Sequence, residues 1–146
     1  MTDEFRHRTR VEVRFRDIDA FGHVNNAVFA SYTEQARVSY LRDVLSADPV
    51  GRMPLILAML KLDFVSPIMF GETVEIGSRV DWLGRSSIAM SHRMASADDD
   101  RDLAHVTSVL VAYDYERARP MPIPDGWRAT LTTYEGHALE RPQGDA

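Results

Sequence analysis

The sequence predicts an α+β protein in which a curved antiparallel β-sheet of about five strands wraps around one long central α-helix. A helical pattern early in the chain is apolar around much of its circumference, so it needs cover on several sides. The segments that follow it alternate apolar and polar residues with the period of strands, and short turns at glycine separate them. The length of 146 residues predicts a single domain, residues 1–146, with one core.

The first strand is predicted from Thr9 to Arg16, where apolar and charged side chains alternate strictly. The preceding residues 1–8 are interpreted as a polar arm. Ile18 falls on the polar side of the alternation, so the strand is expected to end or bulge near Asp17. A loop then runs to Asn25.

The long helix is predicted from Ala27 to about Leu45. Asn25 is the expected N-cap, because its side chain can accept a hydrogen bond from an N–H that lacks an intrahelical partner. Pro49 and Gly51 are expected to end the element. The apolar residues that carry the helical spacing are Phe29, Tyr32, Ala36 and Tyr40.

Four further strands are predicted at Leu60–Phe64, Val74–Trp82, Ile88–Met94 and Leu103–Tyr115. The last of them is apolar on both faces, as expected for a strand in the middle of a sheet or in a subunit interface. One sheet face would still need cover, which predicts a homodimer or a homotetramer. A short helix is predicted from about Asp125 to Tyr134, and residues 135–146 form a loose C-terminal tail.

The composition excludes several classes of function. A net charge of -5 disfavours non-specific nucleic-acid binding, and the absence of cysteine excludes disulfides, thiol nucleophiles and Cys-ligated metals. The histidines lack the spacing of metal ligands, so neither a metal nor a cofactor is expected. The most apolar run, 53–60, is too short to cross a membrane, and no signal-peptide core precedes it. The expected location is the cytoplasm.

The loop before the helix concentrates the chemical groups. Asp17, Asp19 and His23 lie just before a helix start, whose first N–H groups lack partners and stabilise negative charge. A carboxylate next to such a helix start is what acyl transfer requires, because an oxyanion develops on the carbonyl oxygen. If Asn25 is the cap, the backbone N–H of Asn26 is the best-placed donor. Asp17 is interpreted as a structural turn residue.

The run Asp17–Asn26, continued by Tyr32–Arg37, resembles the signature of hotdog-fold acyl-CoA thioesterases of the 4-hydroxybenzoyl-CoA thioesterase-like family. The resemblance covers about residues 9–127. It extends through three further segments in the same order, namely Leu62–Phe64 with Phe70–Glu72, Gly84–Ser87, and Val111–Asp114 with Pro122–Pro124.

The resemblance implies hydrolysis of an acyl-CoA thioester to a free acid and CoA without a cofactor. It makes Asp19 the catalytic carboxylate, acting as nucleophile or general base, and Asn26 the residue whose backbone N–H polarises the thioester carbonyl. His23 matches a position that assists catalysis in related thioesterases. In relatives with an Asp-x-Asn-x-His arrangement an Asn stands where this chain has Phe21, which is interpreted as lining the acyl pocket.

The resemblance also implies that the turn at Arg85, Ser86 and Ser87 binds CoA. Glu34 is a further candidate, although a surface pair with Arg37 is the favoured interpretation. Three alternatives remain open, namely acyl-carrier protein in place of CoA, a hydratase or dehydratase on the same fold, and a non-catalytic acyl-CoA-binding protein.

Overall fold

The computed structural model describes residues 1, 3–47 and 53–143. Within them the strands are β1 (His7–Glu12), β2 (Leu55–Phe64), β3 (Thr73–Leu83), β4 (Ser87–Ser96), β5 (Asp102–Asp114) and β6 (Arg119–Pro120), and the helices are α1 (Asn26–Leu45) and α2 (Asp125–Glu135). The main sheet is antiparallel, with the spatial order β1-β3-β4-β5-β2, and β6 pairs with β5. The predicted α+β architecture, a sheet with one long helix, is confirmed.

The start of α1 agrees with the prediction. Asn25 is the N-cap, and its side-chain oxygen accepts a hydrogen bond of 2.8 Å from the Ala27 N–H. At the other end, Ser46 adopts a left-handed conformation with φ 54°, and its N–H bonds the carbonyl of Leu41. The expected terminators, Pro49 and Gly51, lie outside the described residues.

The beginning of the chain differs from the prediction of a polar arm. His7 and Arg8 belong to β1, and Phe5 is buried. A Cβ atom at Gly77 on β3 would come within 2.7 Å of the Phe5 side chain, so glycine provides the space that Phe5 occupies. A single buried aromatic residue therefore draws this polar segment onto the sheet.

β1 also ends earlier than predicted. It stops at Glu12, and residues Phe15–Asp17 form a short 3₁₀ turn. The turn forms because the Asp17 carboxylate accepts the Arg14 N–H at 2.9 Å. This local bond replaces the ladder bonds that a continued strand would have made.

Two other boundaries and the face alternation of one strand also differ from the prediction. β2 begins at Leu55, five residues before the predicted start. A bulge between Val80 and Trp82 reverses the alternation in β3, so Leu83 is buried and Trp82 is only half-buried. The predicted loose tail is held as far as Leu139, which is buried and whose carbonyl accepts the Leu83 N–H at 2.9 Å.

α1 packs on one face of the sheet, and the buried apolar residues beneath it form two clusters. The first cluster contains Phe29, Tyr32 and Ala36 of α1. The second contains Tyr40 and Leu41, together with Leu131 of α2. No helix in the described part of the chain is long and apolar enough to span a membrane.

A row of buried polar residues lies between the two clusters, and we call it the polar seam. Each member lies on a different helix or strand. Along that element, the clustered residues on one side of it belong to the first cluster and those on the other side belong to the second. The members are Arg37 of α1, Ser78 of β3, His92 of β4 and Ser108 of β5. The Ser78 hydroxyl lies 2.8 Å from Nδ1 of His92. Burial, then the electrostatic effects of Arg37 and His7, lower the pKa of His92 to about 3, so the ring is neutral.

Candidate active site

The candidate site is built on the loop that connects the 3₁₀ turn to α1. Ile18 and Val24 form a β-bridge, which closes the loop as a small hairpin. At its tip the Asp19 N–H bonds the His23 carbonyl at 2.9 Å, and the Gly22 N–H bonds the Asp19 carbonyl at 3.1 Å. Gly22 has φ 89°, a conformation that disfavours residues with a Cβ. The hairpin therefore fixes Asp19 and His23 side by side.

Asp19 has a partly exposed carboxylate, with 18% of its side chain accessible. Its Oδ1 accepts the Phe21 N–H at 2.8 Å, whereas its Oδ2 lies 3.9 Å from Nδ1 of His23. The backbone bond orients the carboxylate, and Oδ2 remains available to a water molecule or a substrate atom beside the imidazole. The structure thus brings together Asp19 and His23, two of the residues predicted from the sequence.

The helix start supplies the third predicted group. Asn25 accepts bonds from the N–H groups of Ala27 and Val28, at 2.8 and 2.9 Å. The N–H of Asn26, the first residue of α1, has no acceptor among the described residues. An unpaired N–H at a helix N-terminus is a donor that can polarise a carbonyl or hold an anion.

A cavity of about 220 Å³ lies beside this donor. The Phe29 and Phe64 rings, with centroids 5.0 Å apart and an edge-to-face arrangement, form part of its wall. Its lining residues are His23, Val24, Asn26, Phe29, Phe64, Val65, Ser66 and Pro67. The cavity thus combines an apolar wall with His23 and Asn26.

Phe21 occupies a different place from the one predicted. Its side chain is 86% exposed and is not among the residues that line this cavity. The Phe21 and His23 rings stack with their centroids 6.3 Å apart. In the single chain Phe21 therefore covers one side of the histidine instead of forming a pocket wall.

Glu34 is also separate from the cavity. It lines a larger groove of about 530 Å³ on the outer side of α1, together with Thr9 of β1. The favoured surface pair with Arg37 does not form, because Arg37 is buried in the polar seam. Burial lowers the pKa of Arg37, and the charge of Glu34 acts against that shift.

The predicted CoA-binding turn lies far from Asp19 within one chain. Arg85, Ser86 and Ser87 connect the end of β3 to β4, whereas the Asp19 loop lies near the beginning of β3. β3 has 11 residues and spans about 33 Å. The Arg85 carbonyl accepts the Ile123 N–H at 2.9 Å, and the Arg85 side chain is exposed.

Asp17 is the structural residue that the sequence predicted, but its partner was missed. The carboxylate is buried and accepts hydrogen bonds from the Tyr32 hydroxyl at 2.7 Å and from the Arg14 N–H at 2.9 Å. Burial would raise the pKa of Asp17, but these two bonds and the Arg14 guanidinium outweigh it, so the pKa is lowered. The helical spacing predicted only an apolar role for Tyr32. The one available signal for the bond to Asp17 was that a tyrosine hydroxyl on a buried face of the helix needs a hydrogen-bond partner.

Comparisons with known proteins agree with this geometry. Residues 13–131 match the thioesterase-like superfamily, so the chain belongs to that family. A thioesterase from Thermus thermophilus, solved in complex with coenzyme A and zinc, is 37% identical, with a TM-score of 0.81 over 97% of this chain and 100% of that one. The fold is therefore the hotdog fold, and the chain is a thioester hydrolase by family.

Two other relatives extend the comparison. A chloroplastic acyl-acyl carrier protein thioesterase of Arabidopsis thaliana is 28% identical over 131 residues, which cover 88% of this chain and 68% of that protein. A thioesterase-superfamily structure from Jannaschia sp. CCS1 has a TM-score of 0.85 at 24% identity, covers 96% of this chain and 89% of its own, and supports the fold. Among the described residues, no group of three His, Asp or Glu side chains could hold a metal ion.

Proposed function

We propose that this chain hydrolyses acyl-CoA thioesters, with Asp19 as the catalytic carboxylate and the Asn26 N–H as the oxyanion donor. The observation that carries the proposal is the N–H of Asn26, which has no acceptor in the described part of the chain and belongs to a residue that lines the cavity with His23, directly after the loop that holds Asp19. A thioester carbonyl bound in the cavity would accept that N–H. The donor would then strengthen its bond as negative charge develops on the oxygen.

The carboxylate can act in two ways. As a general base, Asp19 takes a proton from water, the hydroxide adds to the carbonyl carbon, and the C–S bond breaks as the proton passes to the sulfur of CoA. As a nucleophile, Asp19 displaces the CoA thiolate to form an anhydride, which water then hydrolyses. His23, with Nδ1 at 3.9 Å from Asp19 Oδ2, supports either role by orienting the carboxylate or the water.

The substrate carrier is proposed to be CoA. The coenzyme A bound in the Thermus thermophilus relative supports this choice. Acyl-carrier protein is the second candidate, because the Arabidopsis thaliana relative is named for it. Kinetics with one acyl group on both carriers will separate the two, and a higher kcat/KM for the protein-bound thioester would overturn the choice of CoA.

We also propose that the working protein is a homodimer or a dimer of dimers. β2 lies at the edge of the sheet and exposes the apolar side chains of Leu57, Met59 and Phe64. An exposed apolar edge strand is suited to pairing with a second copy. The Arg85–Ser87 turn of the same chain is too far from Asp19 to contact a substrate bound there. The equivalent turn of a partner subunit could make that contact. The absence of cysteine fits a cytoplasmic location.

The test is an Asp19→Asn variant assayed for thiol release with a panel of acyl-CoAs. We expect kcat to fall by about 10²- to 10⁴-fold, the range for loss of a general base. Asp125→Asn is the matched control, because Asp125 is an exposed aspartate in the first turn of α2 and is expected to leave kcat unchanged. Undiminished turnover by the Asp19 variant with its best substrate would contradict the assignment.

A further inference from the structure

Asp17 and Tyr32 form a buried pair to which the proposed reaction gives no chemical step. The Tyr32 hydroxyl donates to Asp17 Oδ2 at 2.7 Å, and both residues are at most 3% exposed. Neither residue lines the cavity beside Asn26. Their effect on the reaction would therefore act through the groups that they hold.

Asp17 connects the end of the first strand segment to the helix start. Its Oδ2 also accepts the Arg14 N–H at 2.9 Å, which closes the 3₁₀ turn. Its backbone carbonyl accepts the Asn25 N–H at 2.9 Å, which fixes the N-cap residue of α1. Tyr32 adds a third connection, to the second turn of the helix. One residue thus ties the strand end, the cap and the helix body together.

The two proposed catalytic groups lie immediately beside these ties. Asp19 follows Asp17 by two residues, and Asn26 follows Asn25 directly. A shift of Asp17 relative to α1 would change the distance between the Asp19 carboxylate and the Asn26 N–H. Reactions that depend on two oriented groups lose about 10²-fold in rate when one is misplaced by about 1 Å.

We propose that Asp17 and Tyr32 are positioning residues that hold the Asn26 N–H in register with the Asp19 carboxylate. The proposal rests on the thioester hydrolysis proposed above. The Tyr32 hydroxyl holds Asp17 against the helix, and Asp17 holds the N-cap residue. The loop and the helix start then move as one unit when substrate binds.

The helix itself provides a matched control. Tyr40 lies two turns further along α1 and makes an equivalent buried bond, from its hydroxyl to Glu135 Oε1 at 2.9 Å. Tyr32→Phe and Tyr40→Phe each remove one hydroxyl from a buried tyrosine–carboxyl pair on the same helix. Thermal unfolding of both variants will show whether they fold and lose comparable stability.

The kinetic test compares kcat and KM of the two variants with one good acyl-CoA substrate. Tyr32→Phe is expected to lower kcat by about 10- to 100-fold with KM changed by less than about twofold, because the loss falls on the transition state. Tyr40→Phe is expected to keep kcat within about twofold of wild type. Asp17→Asn, whose amide oxygen can still accept a hydrogen bond, is expected to retain more activity than Asp17→Ala.

A second readout does not depend on turnover. In two-dimensional amide NMR spectra, Tyr32→Phe is expected to move the Asn26 cross-peak and to speed hydrogen exchange of the Asn25 N–H, whereas Tyr40→Phe leaves both unchanged. Equal losses of kcat in the two tyrosine variants, or unchanged amide signals in Tyr32→Phe, would overturn the positioning role. If wild-type protein hydrolyses no acyl thioester, the proposed function fails, and the amide readout still decides the positioning role.

Discussion

Two similar buried tyrosine–carboxyl bonds on α1 have carboxyl pKa values that are shifted in opposite directions. Tyr32 bonds Asp17 near the helix start, and Tyr40 bonds Glu135 further along. The pKa of Asp17 is lowered, whereas the pKa of Glu135 is raised. The surroundings of this pair of functional groups therefore stabilise the charged form of Asp17 and destabilise the charged form of Glu135.

The difference has a local cause. Burial acts first on both carboxyls and raises their pKa values. At Asp17 the bonds from Tyr32 and the Arg14 N–H, with the Arg14 guanidinium, outweigh burial. At Glu135 the bond from Tyr40 and a long bond of 3.4 Å from the Val80 N–H are too weak to outweigh burial, so the pKa stays raised.

The two ends of the helix also differ in how their backbone groups are satisfied. At the C-terminal end, Ser46 turns back in a left-handed conformation, and its N–H bonds the Leu41 carbonyl. At the N-terminal end, the Asn26 N–H stays without an acceptor among the described residues. The C-terminal end is closed by a backbone bond, whereas the N-terminal end is capped by Asn25 and keeps one N–H without an acceptor in the described residues.

Among changes that test the contrast between the two ends of α1, the largest effect is expected when the free donor itself is removed. Proline is tolerated at the first helical position, and Asn25, with φ -58° and ψ 137°, has the conformation favoured before proline. Asn26→Pro should therefore fold with nearly wild-type stability but lack the N–H. We expect kcat to fall by about 10²- to 10³-fold, the cost of losing an oxyanion donor.

Asn26→Ala is the control for this variant, because it removes the side chain and keeps the N–H. It is expected to retain kcat within about threefold of wild type. Steady-state kinetics and thermal unfolding of both variants check the prediction. Wild-type turnover by a folded Asn26→Pro protein would show that the open end of the helix is not the oxyanion site.

An intermediate effect is expected at the aromatic wall beside the donor. Phe64→Ala removes the ring that packs against Phe29 and enlarges the cavity of about 220 Å³. The ratio of kcat/KM for long over short acyl-CoAs should rise about tenfold, the usual scale for one or two extra methylenes in an apolar pocket. Leu57→Ala, on the same strand outside the cavity, should leave the ratio unchanged, and equal shifts in both variants would place the acyl group elsewhere.

The smallest effect is a pair of opposite pH dependences in stability. Asp17 has a lowered pKa in the folded state, so its contribution is complete above its unfolded pKa of about 3.9 and is lost as the pH falls through the folded value. Glu135 has a raised pKa, so its contribution is present below about pH 4.3 and is lost as the pH rises through the folded value.

Urea unfolding across this pH range checks both signs. The free energy of unfolding of Asp17→Asn should decrease less than that of wild type as the pH is lowered. That of Glu135→Gln should decrease less than that of wild type as the pH is raised towards neutrality. Parallel pH profiles for the two variants would contradict the opposite pKa shifts of Asp17 and Glu135.

Periodicity and capping rules predicted most of the fold, because those signals are local. The start of α1, the cap at Asn25 and the succession of the long strands along the chain all follow from patterns within a few residues of one another. The two ends of the chain were predicted incorrectly because a distant contact decided the outcome. Phe5 is held by the space at Gly77, and the C-terminal segment is held by the Leu83 N–H.

The same distinction applies to the site. The proximity of Asp19, His23 and Asn26 could be predicted because one short loop and one helix start contain all three; their catalytic roles stay a prediction. Tyr32 and Asp17 are 15 residues apart, and nothing in the sequence distinguishes Tyr32 from the other residues on the apolar face of α1. Arg37 was misjudged for a related reason, because its burial depends on the sheet beneath the helix.

The polar seam also affects how this protein can change. Four long elements, α1, β3, β4 and β5, each pass from the first apolar cluster through one polar residue into the second cluster. The candidate cavity uses Phe29 and Val24 of the first cluster, and α2 is anchored in the second. We therefore expect substitutions in the first cluster and substitutions in the second to have nearly additive effects on stability. If the cavity binds the acyl group as proposed, substitutions in the first cluster can change acyl preference while the second cluster keeps the chain folded.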